Sequence, residues 1–316
     1  MSEVTLAPEN AEQDAVVGTS LWKDAYRRLK KNTLAVLGFV VVCIVVLASA
    51  VGPWIIQRAT GYTYDYIPTD PALVTSQPPF TAPDGTFAWT HPMGTDDAGR
   101  DILARVLLGG RISLMVGVIS TLVSLIIGIA VGATAGYLGG RVDEAIMRLV
   151  DVLYSIPYMM VVIVLLAFFG GRSPISQLFL LFVALGAVSW LTMARIVRGQ
   201  TLSVKQKEFV EAARAGGVGT FGIIFRHIVP NVFGPVIVYV TLTVPASILA
   251  ESFLSYLGLG IQEPLTSWGV LIKDGADQME TAPWTLLFPA AFMAITLFCF
   301  NFIGDGLRDA LDPKDR

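Results

Sequence analysis

The chain has 316 residues, 54% of them hydrophobic and only 15% charged, against roughly 25% charged in an ordinary soluble domain. Its net charge is −3, so no basic excess points to a nucleic-acid partner. Length alone would allow one or two globular domains. That is excluded by apolar runs of the length a bilayer requires, about 20 residues per span, and the expected class is an all-α integral membrane protein.

Residues 1–20 are polar, acidic and aperiodic, which predicts a disordered cytoplasmic tail. Between 21 and 31, Leu21, Trp22, Ala25 and Leu29 stand opposite basic residues, the pattern of a short interfacial helix. Residues 1–33 are thus an N-terminal segment, and the uncharged run 34–56 is the first predicted span. The basic residues before it and Ala48-Ser49-Ala50 within it imitate a secretory leader. The apolar run starts 33 residues in and continues past Gly52, so a retained span is expected. Residues 57–110 are rich in Pro, Thr, Gly and Tyr. Their Pro78-Pro79 and Asp84-Gly85 pairs signal turns, so an extracytoplasmic loop is expected there.

Residues 111–305 carry five further predicted spans: 112–138, 149–170 with Asp151 at its start, about 177–194, about 232–257 with Glu251 inside, and 284–304. A short polar segment, 139–148, joins the second and third, and 306–316 form a tail. In the second span Ser124, Gly128, Gly132 and Gly136 recur every fourth position, making one small-residue face on which another helix can approach closely. If the N-terminus is cytoplasmic, 16 of the 22 Lys and Arg residues fall on inner segments, as the positive-inside tendency requires. Arg100, Arg105 and Arg111 are exceptions just outside the second span, and both termini are expected inside.

Little in the sequence suggests catalysis. No phosphate loop of the GxxxxGK[ST] type occurs. Gly217, Gly219 and Gly222 spell GxGxxG, but helix-forming residues precede them and no acid lies in 236–243, where a dinucleotide site would need one. His91 and His227, the two histidines, are four predicted spans apart, and Cys43 and Cys299 lie in spans one and six without a CxxC partner. The expectation is that the chain is not an enzyme and holds no metal or cofactor. Asp151 and Arg195 fall near cytoplasmic span ends, where their side chains reach water. Glu251, near the outer end of span five, is expected to make structural hydrogen bonds. The membrane middle lacks ionisable groups, against a stand-alone proton- or sodium-coupled carrier. That carrier and a membrane scaffold are the rival classes.

The cytoplasmic loop 199–231 contains "EFVEAARAGGVGTFGIIFRHIVPN" between two apolar runs. Phe209, Ala212, Ala213 and Gly216 share a nearly flat helical face, and Glu211 and Arg214, three apart, can pair. Gly216-Gly217 reads as a helix stop. Thr220 reads as the cap of a second, amphipathic helix with an apolar face of Phe221, Ile224, Phe225 and Ile228, ended by Pro230. The expected picture is a stubby projecting helix, a glycine hinge, and a helix lying along the membrane.

Glu211-Ala212-Ala213, Gly217 and Pro230 resemble the EAA motif of ABC-importer permeases in spacing and placement, with Val229 where leucine is common and Gly216 where a larger apolar residue is usual. "HPMGTDDAGRDILARVLLGGRISLMVG" (91–117) and "ESFLSYLGLGIQEPLTSWG" (251–269) resemble the dipeptide, oligopeptide and nickel subgroup, with Thr266 where proline is frequent. The long outer loop and basic stretch before span one are similar to the second, "C-type" permease. The resemblance implies a six-helix, type I importer permease in a bacterial-type cytoplasmic membrane. It also implies pairing with a second permease, two P-loop ATPases that carry ATP and Mg, and an extracytoplasmic binding protein. Glu211, Ala212, Ala213, Arg214, Gly217 and Pro230 would form the coupling surface for an ATPase. Peptides are the implied cargo, with nickel chelates and opine-like or glutathione-like solutes as alternatives.

Overall fold

The computed structural model describes residues 21–70, 74–82, 84–170 and 173–311. The expected tail at 1–20 and the last residues, 312–316, lie outside the described residues. Nearly every described residue outside the loops is helical: α1 (Leu21–Lys31), α2 (Thr33–Thr60), α3 (Ile102–Leu138), α4 (Gly140–Tyr154), α5 (Tyr158–Phe169), α6 (Pro174–Val204), α7 (Glu208–Ala215), α8 (Thr220–Gly222), α9 (Val229–Tyr256), α10 (Trp268–Asp277) and α11 (Trp284–Leu311). A π-helical turn, Ile223–Ile228, joins α8 to α9, so 220–256 run as one helix. Among the described residues five helices are long and apolar enough to cross a membrane, and α4 with α5 make a sixth, broken candidate.

The break corrects the expected single third span. Helices α4 and α5 meet at 77° across Ser155-Ile156-Pro157. The proline ring disfavours α-helical backbone at the residue before it, and Pro157 instead stands at the N-cap of α5. Of the polar segment 139–148, expected as a connector, only Gly139 separates the helices, and 140–148 are the first part of α4.

Helix α3 starts at Ile102, ten residues before the expected span. Asp101 caps it, accepting from the Ala104 N–H at 2.7 Å, and Ile102 and Val106 are fully packed. The charges that hid this turn are neutralised. Arg105, 4% exposed, pairs with Asp96 and lies 3.7 Å from Asp274 of α10, and Arg100 pairs with Asp96 at 2.8 Å and Glu263 at 2.9 Å. Two of the three exceptions to the positive-inside pattern are thus locally matched, while Arg111 is exposed.

The small-residue face of α3 packs on α6. Met193 lies against Gly128, and Ala194 and Val197 lie against Gly132. A Cβ placed on Gly136 would stand 2.8 Å from that of Thr201, too close for two carbons. Glycine here sets the helix separation. Helix α11 meets α2 in the same way at Gly38, whose Cβ would lie 2.9 Å from the Cys299 carbonyl. The rest of α2 exposes Leu34, Leu37, Phe39, Ile44 and Leu47, a surface suited to acyl chains.

At the opposite end of α3 from α7, helix α10 tucks back among α3, α9 and α11. Trp268 is fully buried, with its ring N–H donating to the Val106 carbonyl at 3.0 Å and its backbone N–H to Ser113 Oγ at 3.2 Å. Glu251, also fully buried, accepts from Ser255 Oγ at 2.6 Å, Ser267 Oγ at 2.7 Å and Ser113 Oγ at 3.3 Å. One carboxylate therefore ties together α3, α9 and the start of α10, the structural role expected for it.

Candidate functional site

The loop between α6 and α9 is built as a rigid elbow. After α6, a three-residue turn closes with Lys207 N–H donating to the Val204 carbonyl at 3.0 Å. Lys205 Nζ reaches the Gly136 carbonyl at the end of α3, 2.8 Å away, where a cation meets the negative end of that helix. Helix α7 follows, with Glu208 and Glu211 in its first turn and Arg214 in its last, the polarity its own dipole favours.

Gly217 is the stop, as expected. It holds φ = +81°, its N–H bonds the Arg214 carbonyl at 3.1 Å, and the Val218 N–H bonds the Ala213 carbonyl at 3.1 Å. These are the paired bonds of a Schellman closure. Gly216 takes an ordinary φ of −73°, so the left-handed position is Gly217 alone. No heavy atom lies within 4 Å of where a Gly217 Cβ would be, so its requirement is conformational rather than steric.

Helix α7 rests on the bundle through Val210, and the flat face read from the sequence is largely exposed. Val210 is fully buried and joins Met193, Val197, Ile223, Ile228 and Val236 in one apolar cluster. Phe209, Glu211 and Ala212 are exposed and Ala213 is half-buried. Arg214 does not close on Glu211; its guanidinium stands over the Tyr137 ring, 5.6 Å from the centroid.

Beyond the elbow, three expectations are corrected. Thr220 opens α8 without a side-chain cap, and Gly219 holds the N-cap position. Ile223, Ile224 and Ile228 are buried, whereas Phe221 and Phe225 are exposed with ring centroids 4.4 Å apart. Pro230 does not end a helix. The Val229 N–H bonds the Ile224 carbonyl, five residues back, and this wider turn carries the chain past a residue with no N–H of its own. Asn231 Nδ2 donates to the His227 carbonyl at 2.7 Å.

Two ion pairs at this end join α4 to α6, and sequence reading missed both as pairs. Arg198 donates to both Asp143 carboxylate oxygens, at 2.5 and 2.6 Å, in the two-pronged geometry that guanidinium favours. One turn along, Arg195 pairs with Asp151 at 2.7 Å and lies 4.2 Å over the Tyr154 ring. The residues are 44 and 55 positions apart, so only the packing of α4 on α6 could reveal them. The arrangement assembles no nucleophile and base. It links the exposed helix α7 to α3, α6 and, through the ion pairs, α4.

Residues 128–316 match the family described as "Binding-protein-dependent transport system inner membrane component", and residues 20–79 match "N-terminal TM domain of oligopeptide transport permease C". The chain is 55% identical over 306 residues to the oligopeptide transport system permease protein OppC of Escherichia coli, covering 97% of this chain and 95% of that one. It is 43% identical over 311 residues to the dipeptide transport system permease protein DppC of Bacillus subtilis, covering 98% and 91%. Among solved structures, the inward-facing MetNI methionine ABC transporter shares the fold at a TM-score of 0.52 and 18% identity, covering 66% of this chain and 96% of that one. The chain is a multi-pass membrane protein and belongs to the binding-protein-dependent inner membrane components, the permease subunits of ABC importers.

Proposed function

We propose that this protein is one of two permeases in an ATP-driven importer of di- or oligopeptides, and that α7 is its coupling helix. The observation that carries the peptide reading is the 55% identity to an oligopeptide permease across 97% of the chain. The coupling reading is supported by the build of α7: Val210 is sunk in the core, Gly217 fixes the end, and Glu211 and Ala212 face outward. Small side chains on that outward surface suit a helix seated in another subunit's groove. Arg214 would work at the rim, and Pro230 lies beyond the π turn that aims the elbow.

The partners are a second permease, two P-loop ATPases and an extracytoplasmic binding protein. ATP and Mg belong to the ATPases, and this chain carries no cofactor. It lies in the cytoplasmic membrane with both termini and α7 on the cytoplasmic side. ATP binding and the loaded binding protein then bias one two-state equilibrium between inward- and outward-facing arrangements. Co-purification from the native host, with mass spectrometry of the partners, tests the assembly. A left-handed conformation costs a residue with a Cβ about 1–2 kcal/mol. Gly217→Leu is therefore expected to insert normally but lose ATP-driven uptake or ATPase recovery, and Gly217→Asn to retain more of both. Wild-type uptake in Gly217→Leu overturns the coupling assignment.

A further inference from the structure

A recess of about 560 Å³ opens beside the α4–α5 break, between the middle stretches of α6 and α9. That volume lies within the roughly 300–1,000 Å³ of small-molecule sites. Its polar lining includes Ser155 and Tyr158 from the break, Ser189 and Thr192 from α6, and Tyr239 and Thr243 from α9, and none of the described residues that line it is charged. The nearest ion pair, Asp151 with Arg195, is closed on itself beside Tyr154.

Three of the hydroxyls have committed their protons. Ser155 Oγ donates to the Val152 carbonyl at 2.7 Å, Ser189 Oγ to Leu185 at 2.8 Å, and Thr243 Oγ1 to Tyr239 at 2.8 Å. Their remaining lone pairs can only accept. The helix break adds irregular backbone, which at membrane depth is tolerated where protein or a wet cavity surrounds it. These acceptors, with the Tyr158 and Tyr239 hydroxyls able to donate, match the two uncharged groups every peptide repeats, the amide N–H and C=O. A fixed charge on this wall would favour passing peptides of one sign and disfavour the other.

We propose that this recess is the chain's wall of the translocation path, and that it contacts passing peptides through their backbone while remaining indifferent to side-chain charge. The inference rests on the peptide-import reading above. It is tested with the assembled importer in proteoliposomes, by ATP-driven uptake of a lysine-bearing and a glutamate-bearing tripeptide. Ser189→Asp is expected to raise the lysine-to-glutamate uptake ratio about tenfold over wild type, and Ser189→Lys to lower it by a similar factor. Ratios unchanged in both active variants overturn the proposal. If either charge abolishes all uptake, Ser189→Cys on a Cys43→Ala, Cys299→Ala background decides. Labelling by a small methanethiosulfonate during turnover, slowed severalfold by peptide, supports the path; absent labelling, or labelling that peptide does not slow, overturns it. A wild-type importer that moves neither peptide sinks the peptide reading itself, a result distinct from unchanged ratios in an active one.

Discussion

Glu251 shows how one residue can hold a membrane fold together. It has no exposed surface and receives three serine hydroxyls from α3, α9 and the residue that caps α10. Glu251→Ala removes the shared acceptor and leaves a cavity, so a loss of about 3 kcal/mol is expected. Glu251→Gln keeps one carbonyl acceptor and should cost less. Thermal unfolding of the purified chain in detergent checks the order wild type, Gln, Ala. Asp274 of α10 behaves in the opposite way. Its half-buried carboxyl is raised above the ordinary 3.8 by burial, with Arg105 and Arg100 opposing. A raised pKa means that the fold prefers the protonated form, a preference satisfied below pH 3.8 and lost as pH climbs through the raised value. Asp274→Asn is therefore expected to stabilise the chain at neutral pH, by a margin that shrinks on acidification. Melting curves across that range measure the margin.

At the scale of elements, two glycines separate packing from propensity. At Gly132 a Cβ would run into the Ala194 carbonyl and the Val197 side chain; at Gly199, in α6, it would meet nothing within 4 Å. Gly132→Leu should force α3 and α6 apart and lower the recovery of folded protein from detergent. Gly199→Ala should be neutral or stabilise by up to about 1 kcal/mol. Size-exclusion profiles and melting temperatures of the two variants distinguish these outcomes. The Gly132 contact was legible in the sequence, because four small residues at four-residue spacing can only share a face. Gly217 was legible too, since a stop between two helices needs the left-handed region. What escaped was set by tertiary packing. Helix α3 begins at Ile102, where Asp101 caps it and Asp96 pairs with the buried Arg105, and a run of apolar letters does not record that match. Pro230 reads locally as a terminator, yet a π turn carries the helix through it. No residue of α7 stands out locally as its anchor, and only the neighbours Ile223 and Val236 mark Val210 as such.

For the whole molecule, the proposed coupling role of α7 raises the question of how a push there would reach the middle of the bundle. Helix α7 is joined to α6 by three residues and anchored through Val210, so it cannot move without α6. Helix α6 is seated on α3 along the glycine face and is bonded to α4 by Asp143–Arg198 and Asp151–Arg195. Helix α4 ends at the 77° break that borders the recess. The packing that joins α7 to the recess thus includes two ion pairs, one of them two-pronged. Severing both with Arg195→Met and Arg198→Met should let α6 move without dragging α4. The expected result is an importer that still recovers its ATPases and hydrolyses ATP but takes up peptide about tenfold more slowly. Loss of a partly exposed charged hydrogen bond costs about 1–2 kcal/mol, and 1.4 kcal/mol corresponds to about tenfold. Because that loss is of a connection and not of particular side chains, the exchange Asp143→Arg with Arg198→Asp should restore part of the uptake that Arg198→Met removes. Uptake per ATP hydrolysed is the decisive quantity. If it is unchanged in the double methionine variant, the push travels through α3 or α9, and the α4–α6 pairs only hold the bundle together.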